Sequence, residues 1–332
     1  EDAGIFIFYD ENKRFRFSLI HTTYVGAKRQ WNSFKRYTYF VSPEETNKTF
    51  IQRIGGSDFS DLNNIKEAFS VEKVTKEFYQ EIANWYFWAL KKTKFPKDAE
   101  LQPNGINIAL IRLITRLIFI WFMREKGIIK KELFDKKFLE ITLKELSPNV
   151  STYYLAILQN LFFATLNTPI DQRKFRLEEK CKDDQNKDYM NHICYRHHNL
   201  FKDPEKIEEL FKYIPFLNGG LFECLDKRKD DESNETGEKI FIDGFSDDPK
   251  KQPFIPNFLF FSNELYVDLN KDYGTKGKRY KVRGIIDILD SYNFTIDENT
   301  PIDEEVALDP ELLGRVFENL LASYNPETSS TA

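Results

Sequence analysis

Apolar and polar positions change period several times along this chain, and each change marks a different kind of element. In "GIFIFYDENKRFRFSLIHTTY", Gly4 to Tyr24, two runs rich in β-branched and aromatic residues flank the polar "DENK". Two such runs about a polar turn predict a β-hairpin. "KRYTYFVS" predicts a third strand, so residues 1–42 read as a small β unit. Arg14 and Arg16 alternate with Phe15 and Phe17, which puts the two arginines on the wet face.

From Ser42 the period becomes helical. "SPEE" offers a cap at Ser42, a proline in the first turn and Glu45 at the reciprocal capping position, so a helix is predicted to start there. In "SVEKVTKEFYQEIANWYFWALKK", Val71, Val74, Phe78, Ile82, Trp85 and Ala89 form one stripe of a second helix. "KFPKDAELQPNG" breaks the pattern ahead of "INIALIRLITRLIFIWFMREKG", Ile106 to Gly127, the most apolar stretch of the chain. Its length approaches a membrane span, but Arg112 and Arg116 inside it would be costly at a bilayer centre. A core helix is expected instead, the most buried of a helical region from Ser42 to Tyr213. "SPNVSTYYLAILQNLFFATLN" predicts a further helix that packs through Leu155, Leu158, Leu161, Phe162 and Leu166.

Beyond that point the pattern loosens. "KCKDDQNKDYMNHICYRHHNLFKDP" is polar and irregular, and Asn218, Gly219 and Gly220 suggest a tight turn with positive φ. "DKRKDDESNETGEK" reads as a mobile loop. The last region mixes short strands and helices before a closing helix from Asp309 to Ala322, with an acidic cap and Pro310 in its first turn. The predicted class is α+β, mainly α-helical. Its parts are a β unit at 1–42, read as the edge of an upstream region, a helical core at 43–225, the loop at 226–239 and a mixed α/β segment at 240–332.

Charge alters this picture in one place. The net charge of −5 conceals +6 over residues 1–150 and −11 over the remainder. Between Asn12 and Pro43 stand Lys13, Arg14, Arg16, Lys28, Arg29, Lys35 and Arg36, with no acidic residue. Such a field attracts a phosphate backbone, although a solvated face has the same composition. Arg112 and Arg116, one helical turn apart, either reach a phosphate or pair with buried carboxylates. Cys181, Cys194 and Cys224 are too few for a disulfide scaffold and fit a reducing compartment. No signal peptide is visible, and a cytoplasmic location is expected.

Candidate chemistry is sparse. Cys181, His192, Cys194, His197 and His198 share one polar segment but match no compact metal-binding spacing. Asp171, Glu178 and Lys180 imitate the order of an Mg²⁺-dependent nuclease, which would need carboxylates converging from adjoining strands. Asp268, Asp287 and Asp290 read as caps or surface groups. No phosphate-binding glycine loop and no nucleophile–histidine pair can be defended. Catalytic, cofactor-binding and metal-binding residues are therefore all expected to be none in this chain.

Four stretches nevertheless carry a resemblance: "ALIRLITRLIFIWFMREKG", "LAILQNLFFATLN", "PFLNGGLFECLD" and "IIDILDSYNFTIDENTPIDEEVALDPELLGRVFENLLA". Together they resemble fused, Eco57I-like (type IIG) restriction–modification proteins over about Phe69 to Ala332. These combine an endonuclease region, a helical connector, an N6-adenine DNA methyltransferase and a target-recognition region in one polypeptide. The resemblance implies that Asp309–Ala322 stands just ahead of a methyltransferase whose "TGSYYTP", cofactor glycine motif and "NPPY" are not in this sequence. It implies a non-catalytic connector whose parent uses S-adenosylmethionine and, where it cuts, Mg²⁺. The implied partners are double-stranded DNA, bound weakly and without sequence preference, and the parent's own nuclease and methyltransferase domains, with no membrane. Possible DNA backbone contacts are Lys13, Arg14, Arg16, Lys28, Arg29, Lys35, Arg36, Arg112 and Arg116. Two other readings stay open: an autonomous Mg²⁺-dependent nuclease using Asp171, Glu178 and Lys180, and a helical interaction domain unrelated to DNA.

Overall fold

The structure, a computed structural model, describes residues 3–25, 28–175, 194–217, 219–228, 239–295, 303–308 and 314. In chain order the elements begin with β1 (Ala3–Tyr9), β2 (Phe15–Val25), β3 (Lys28–Val41), α1 (Lys48–Gly55), α2 (Leu62–Ala68), α3 (Val71–Leu90), α4 (Lys97–Glu100), α5 (Gly105–Glu125) and α6 (Lys136–Thr142). A π-helix (Tyr153–Leu166) follows, then β4 (Lys174–Phe175), β5 (Cys194–Tyr195) and α7 (Glu205–Phe211). The remainder is β6 (Lys227–Arg228), β7 (Lys239–Ile240), β8 (Leu265–Val267), α8 (Asn270–Tyr273), β9 (Tyr280–Val282), α9 (Ile285–Leu289) and β10 (Asp303–Glu305). The class is α+β and mainly helical, as the pattern predicts. The chain forms two units, one from residues 1–83 with 287–332, the other from 84–286.

The first unit is built on a four-stranded sheet of order β1-β2-β3-β10. β1, β2 and β3 are antiparallel, and the polar "DENK" makes the first turn as predicted. Alternation then sorts the side chains. Phe17 packs 5.5 Å from Phe50 of α1 and 5.7 Å from Phe69, while Tyr39 donates its hydroxyl to the Ala68 carbonyl at 2.6 Å. β10 joins the outer edge of β3 in parallel, with Asp303, Glu304 and Glu305 opposite Arg36, Tyr37 and Thr38. Phe78 of α3 stacks edgewise on Tyr292 and Phe294, which ties the late segment to the early one.

The predicted helix at Ser42 does not form there. Ser42 Oγ accepts the Glu44 N–H and Ser42 O accepts the Glu45 N–H, making a turn, and α1 begins at Lys48. Good capping chemistry fails without apolar residues to bury, and the first of those is Phe50. α3 follows its stripe closely: Val74, Phe78, Ile82, Trp85 and Ala89 are all buried.

In the second unit the π-helix is the most buried helix, in place of α5. All 14 of its residues are buried, against 11 of 21 in α5. The first five residues of α5, 105–109, are only partly covered, and Arg112, Arg124 and Glu125 are half-buried, whereas the π-helix carries no ionisable side chain except two tyrosines. Its packing is therefore all-round rather than one-sided. α5 is long and apolar enough to cross a membrane by composition, yet here Leu110, Ile114, Leu117 and Trp121 are buried within the protein. Gly219 is extended at φ −151°, and Gly220 opens a short 3₁₀ turn, so the predicted positive φ is not adopted by either glycine. Asn218, the third residue of that predicted turn, lies outside the described residues. The predicted mobile loop falls mainly on 229–238, and the closing helix on residues that, except Gly314, lie outside the described ones.

Candidate nucleic-acid interface

The N-terminal basic run lies on a hairpin whose two faces differ. On one face β2 presents Arg16, Ser18 and Ile20 beside Phe40, Thr38 and Arg36 of β3 and Phe8 and Phe6 of β1. Arg16 stacks over Phe40 at 5.4 Å and Arg36 over Phe8 at 5.2 Å. Arg36 Nε also donates to Ser18 Oγ at 3.3 Å, and Ser18 is hydrogen-bonded to Thr38 at 2.9 Å. Two cations thus lie within cation–π range of aromatic rings, with Phe6 and Phe8 about half exposed.

The other basic groups are placed differently. Lys13 occupies the turn at φ 60° and is exposed. Arg14 is tied to Asp10 by an ion pair of 2.8 Å, and Lys35 lies 3.4 Å from Glu304. The charges of Tyr37 and Glu304 raise the Lys35 pKa, so its ammonium is held charged. Lys28 and Arg29 pair through their backbones with Val25 and Tyr24, and their side chains lie outside the described ones.

Arg116 is a different kind of group. Its side chain is 2% exposed, and its guanidinium donates to Leu221 O at 2.8 Å, Glu223 O at 2.9 Å and Asp243 Oδ1 at 3.2 Å. Phe162 and Phe163 of the π-helix cover it at 5.5 and 5.0 Å. Arg112 donates to Glu223 O at 3.1 Å and lies 3.7 Å from Asp243. Burial lowers the Arg112 pKa. Of the two readings offered by the sequence for this pair, the structure contains the buried carboxylate partner. Asp243 is itself fixed by the Leu225 N–H at 2.7 Å. Asp226 accepts four backbone N–H groups, from Ile242, Asp243, Gly244 and Phe245, at 2.7–3.0 Å. Gln159 of the π-helix donates to Asp243 O and meets His197 Nε2 at 3.1 Å. This network satisfies charges inside the fold and presents none of them outward.

Metal chemistry finds no frame among the described residues, where no group of three His, Cys, Asp or Glu side chains converges. Cys181 and His192 lie outside them, Cys194 is buried on β5, and His197 is turned toward Gln159. Asp171 is exposed on a 3₁₀ turn, while Glu178 and Lys180 lie outside the described residues. Asp268 accepts the Asn270 N–H at 2.9 Å and Asp290 pairs with Lys48 at 3.0 Å, in keeping with their reading as cap and surface groups.

No family model matches the chain. No solved structure matches it. It is similar to a Methanocaldococcus jannaschii protein that bears the provisional name of type II restriction enzyme and methyltransferase, with 27% identity over 272 residues. The match takes in 75% of this chain and 17% of that protein's length.

Proposed function

We propose that this chain is the non-catalytic, DNA-associated connector of a type II restriction–modification protein of the fused, Eco57I-like kind. The observation that carries the reading is the similarity to a protein named for both activities, of which the match spans only 17%. In this reading residues 43–225 and 240–332 space a nuclease region from an adenine-N6 methyltransferase that uses S-adenosylmethionine. The parent works in the cytoplasm, and its nuclease uses Mg²⁺. Duplex DNA is attracted weakly and without sequence preference by the hairpin bearing Lys13, Arg14, Arg16, Lys28, Arg29, Lys35 and Arg36. Arg116, enclosed by its own ion pair, acts on the fold instead.

The test uses the whole protein encoded by the gene. Incubated with duplex DNA and S-adenosylmethionine, it should produce N6-methyladenine, read by mass spectrometry of the digested nucleosides. Absence of methylated adenine under conditions where the protein is folded would overturn the reading. In the 332-residue chain, changing Arg14, Arg16, Lys28 and Arg29 to glutamate should flatten the salt dependence of duplex binding. Four lost phosphate contacts correspond to a change in log–log slope of about 3.6.

A further inference from the structure

A second cationic surface stands in the unit formed by residues 84–286, inside the acidic part of the chain. Between Asp272 and Asp287 the sequence holds Lys276, Lys278, Arg279, Lys281 and Arg283 and no acidic residue, with Lys271 just before. β8 and β9 pair antiparallel, Leu265 with Val282 and Val267 with Tyr280, so this stretch is the connection of a short hairpin. The connection is built rather than slack. Asn270 Oδ1 accepts the Lys278 N–H at 3.0 Å and the Thr275 hydroxyl at 2.9 Å, while its Nδ2 donates to Lys278 O at 2.8 Å and Asp268 Oδ1 at 2.7 Å. Tyr273 and Tyr280 stack at 4.8 Å, and the Tyr280 hydroxyl meets Thr275 at 2.7 Å. Gly274 and Gly277 take φ +62° and +68° where a Cβ would meet nothing, so the backbone conformation itself requires glycine there.

Lys281 is paired with a carboxylate, but the charges nearest the turn are not. Nearby carboxylates already have partners: Asp272 is 2.5 Å from Lys91, and Glu264 is 2.6 Å from Lys281. Among the described residues the ammonium groups of Lys271, Lys276 and Lys278 are exposed and have no ion-pair partner. Arg279 lies over the ring of Tyr266, which is 54% exposed, at 5.4 Å. Like charges held together on a rigid turn repel one another, and a polyanion relieves that repulsion. From Gly274 to Lys278 the turn has no apolar side chain that could insert into a lipid interface.

We infer that the β8–β9 connection is a phosphate-backbone contact for duplex DNA, made by Lys271, Lys276, Lys278 and Arg279. This deepens the DNA-associated reading given above and rests on it. The contact is to the sugar–phosphate backbone and carries no base specificity, since lysine ammonium groups act there as point charges. It gives the acidic part of the chain a fixed DNA-facing surface of its own.

The test measures binding of the 332-residue chain to a fluorescent 30-base-pair duplex across a KCl series. The variant combines Lys276→Glu, Lys278→Glu and Arg279→Glu, with a neutral Lys276→Ala/Lys278→Ala variant beside it. Both sets lie on exposed side chains, and unchanged melting temperatures confirm the fold. Three lost contacts predict a fall of about 2.7 in log–log slope, the neutral pair about 1.8, with affinity at 0.1 M salt weakened at least tenfold in the first. Wild-type slope in both variants, with duplex binding lost on reversing Arg14, Arg16, Lys28 and Arg29, would overturn the inference and leave the connector reading standing. Binding to anionic phosphatidylserine vesicles in place of the duplex would also overturn it. No duplex binding by the wild type at low salt would remove this contact, while methylation by the whole protein decides the connector reading separately.

Discussion

Replacing Arg116 by methionine separates a fold-holding arginine from a DNA-holding one. Methionine keeps much of the aliphatic stem against Phe162 and Phe163 but removes three donors. Asp243, whose side chain is 9% exposed, would keep the Leu225 N–H and the longer approach of Arg112 at 3.7 Å. Glu223 O would keep Arg112 as a donor, whereas Leu221 O would lose its Arg116 partner. Breaking a buried ion pair from one side costs about 3–5 kcal/mol, because the remaining charge is stranded. Adding Asp243→Asn removes that charge, so the double variant should regain about 1–2 kcal/mol over Arg116→Met alone. Urea denaturation followed by tryptophan fluorescence measures both values. A loss below about 1 kcal/mol in the single variant would refute the reasoning. So would an unchanged fold combined with a fall of about 0.9 in the salt slope of duplex binding, the signature of a phosphate contact.

Two further outcomes follow from the same region. Gly244 sits at φ +63°, where an alanine Cβ would press on Lys251 O, Pro96 and Pro253, so Gly244→Ala should cost about 2–4 kcal/mol in the same urea assay. A loss under 1 kcal/mol would show that the turn can relax. Burial, followed by the charges of Asp226 and Asp243, pushes the Cys224 thiol well above its ordinary pKa. Its neutral form is therefore favoured by folding, a contribution present below the unfolded thiol's pKa near ~8.5 and lost as pH rises beyond it. Native Cys224 should resist iodoacetamide at pH 8, and Cys224→Ala should lose melting temperature less steeply between pH 8 and 10. Rapid alkylation of the folded chain would contradict this.

What could be read ahead of the structure depended on whether a residue's neighbours in space were also near in sequence. α3 was legible because Val74, Phe78, Ile82 and Trp85 recur on one face with a polar face opposite. The π-helix hid its true packing because burial on every side erases that contrast, leaving only an apolar run. β10 was not legible at all. "DEE" has no strand character of its own and is extended because β3 offers an open edge. The hairpin cations were visible as a run, but their cation–π seats on Phe8 and Phe40 arise from cross-strand register. The β8–β9 cations escaped for another reason. Summing charge over half the chain averaged them into a −11 background, whereas a window of about fifteen residues isolates them.

The parallel pairing of β10 with β3 has a consequence for the moment of synthesis. About 260 residues separate Val41 from Asp303, and the whole of 84–286 is translated between them. At ~5–20 residues per second, β3 emerges roughly 13–50 s before the strand that will cover its outer edge. During that interval the edge is a template for any passing strand. Lys35 and Arg36, set along β3, are suited to guard it, since charge on an open strand edge opposes pairing between nascent chains. When Glu304 arrives, it meets Lys35 at 3.4 Å. The lysine that repels strangers on the ribosome is then the one that meets the proper fourth strand.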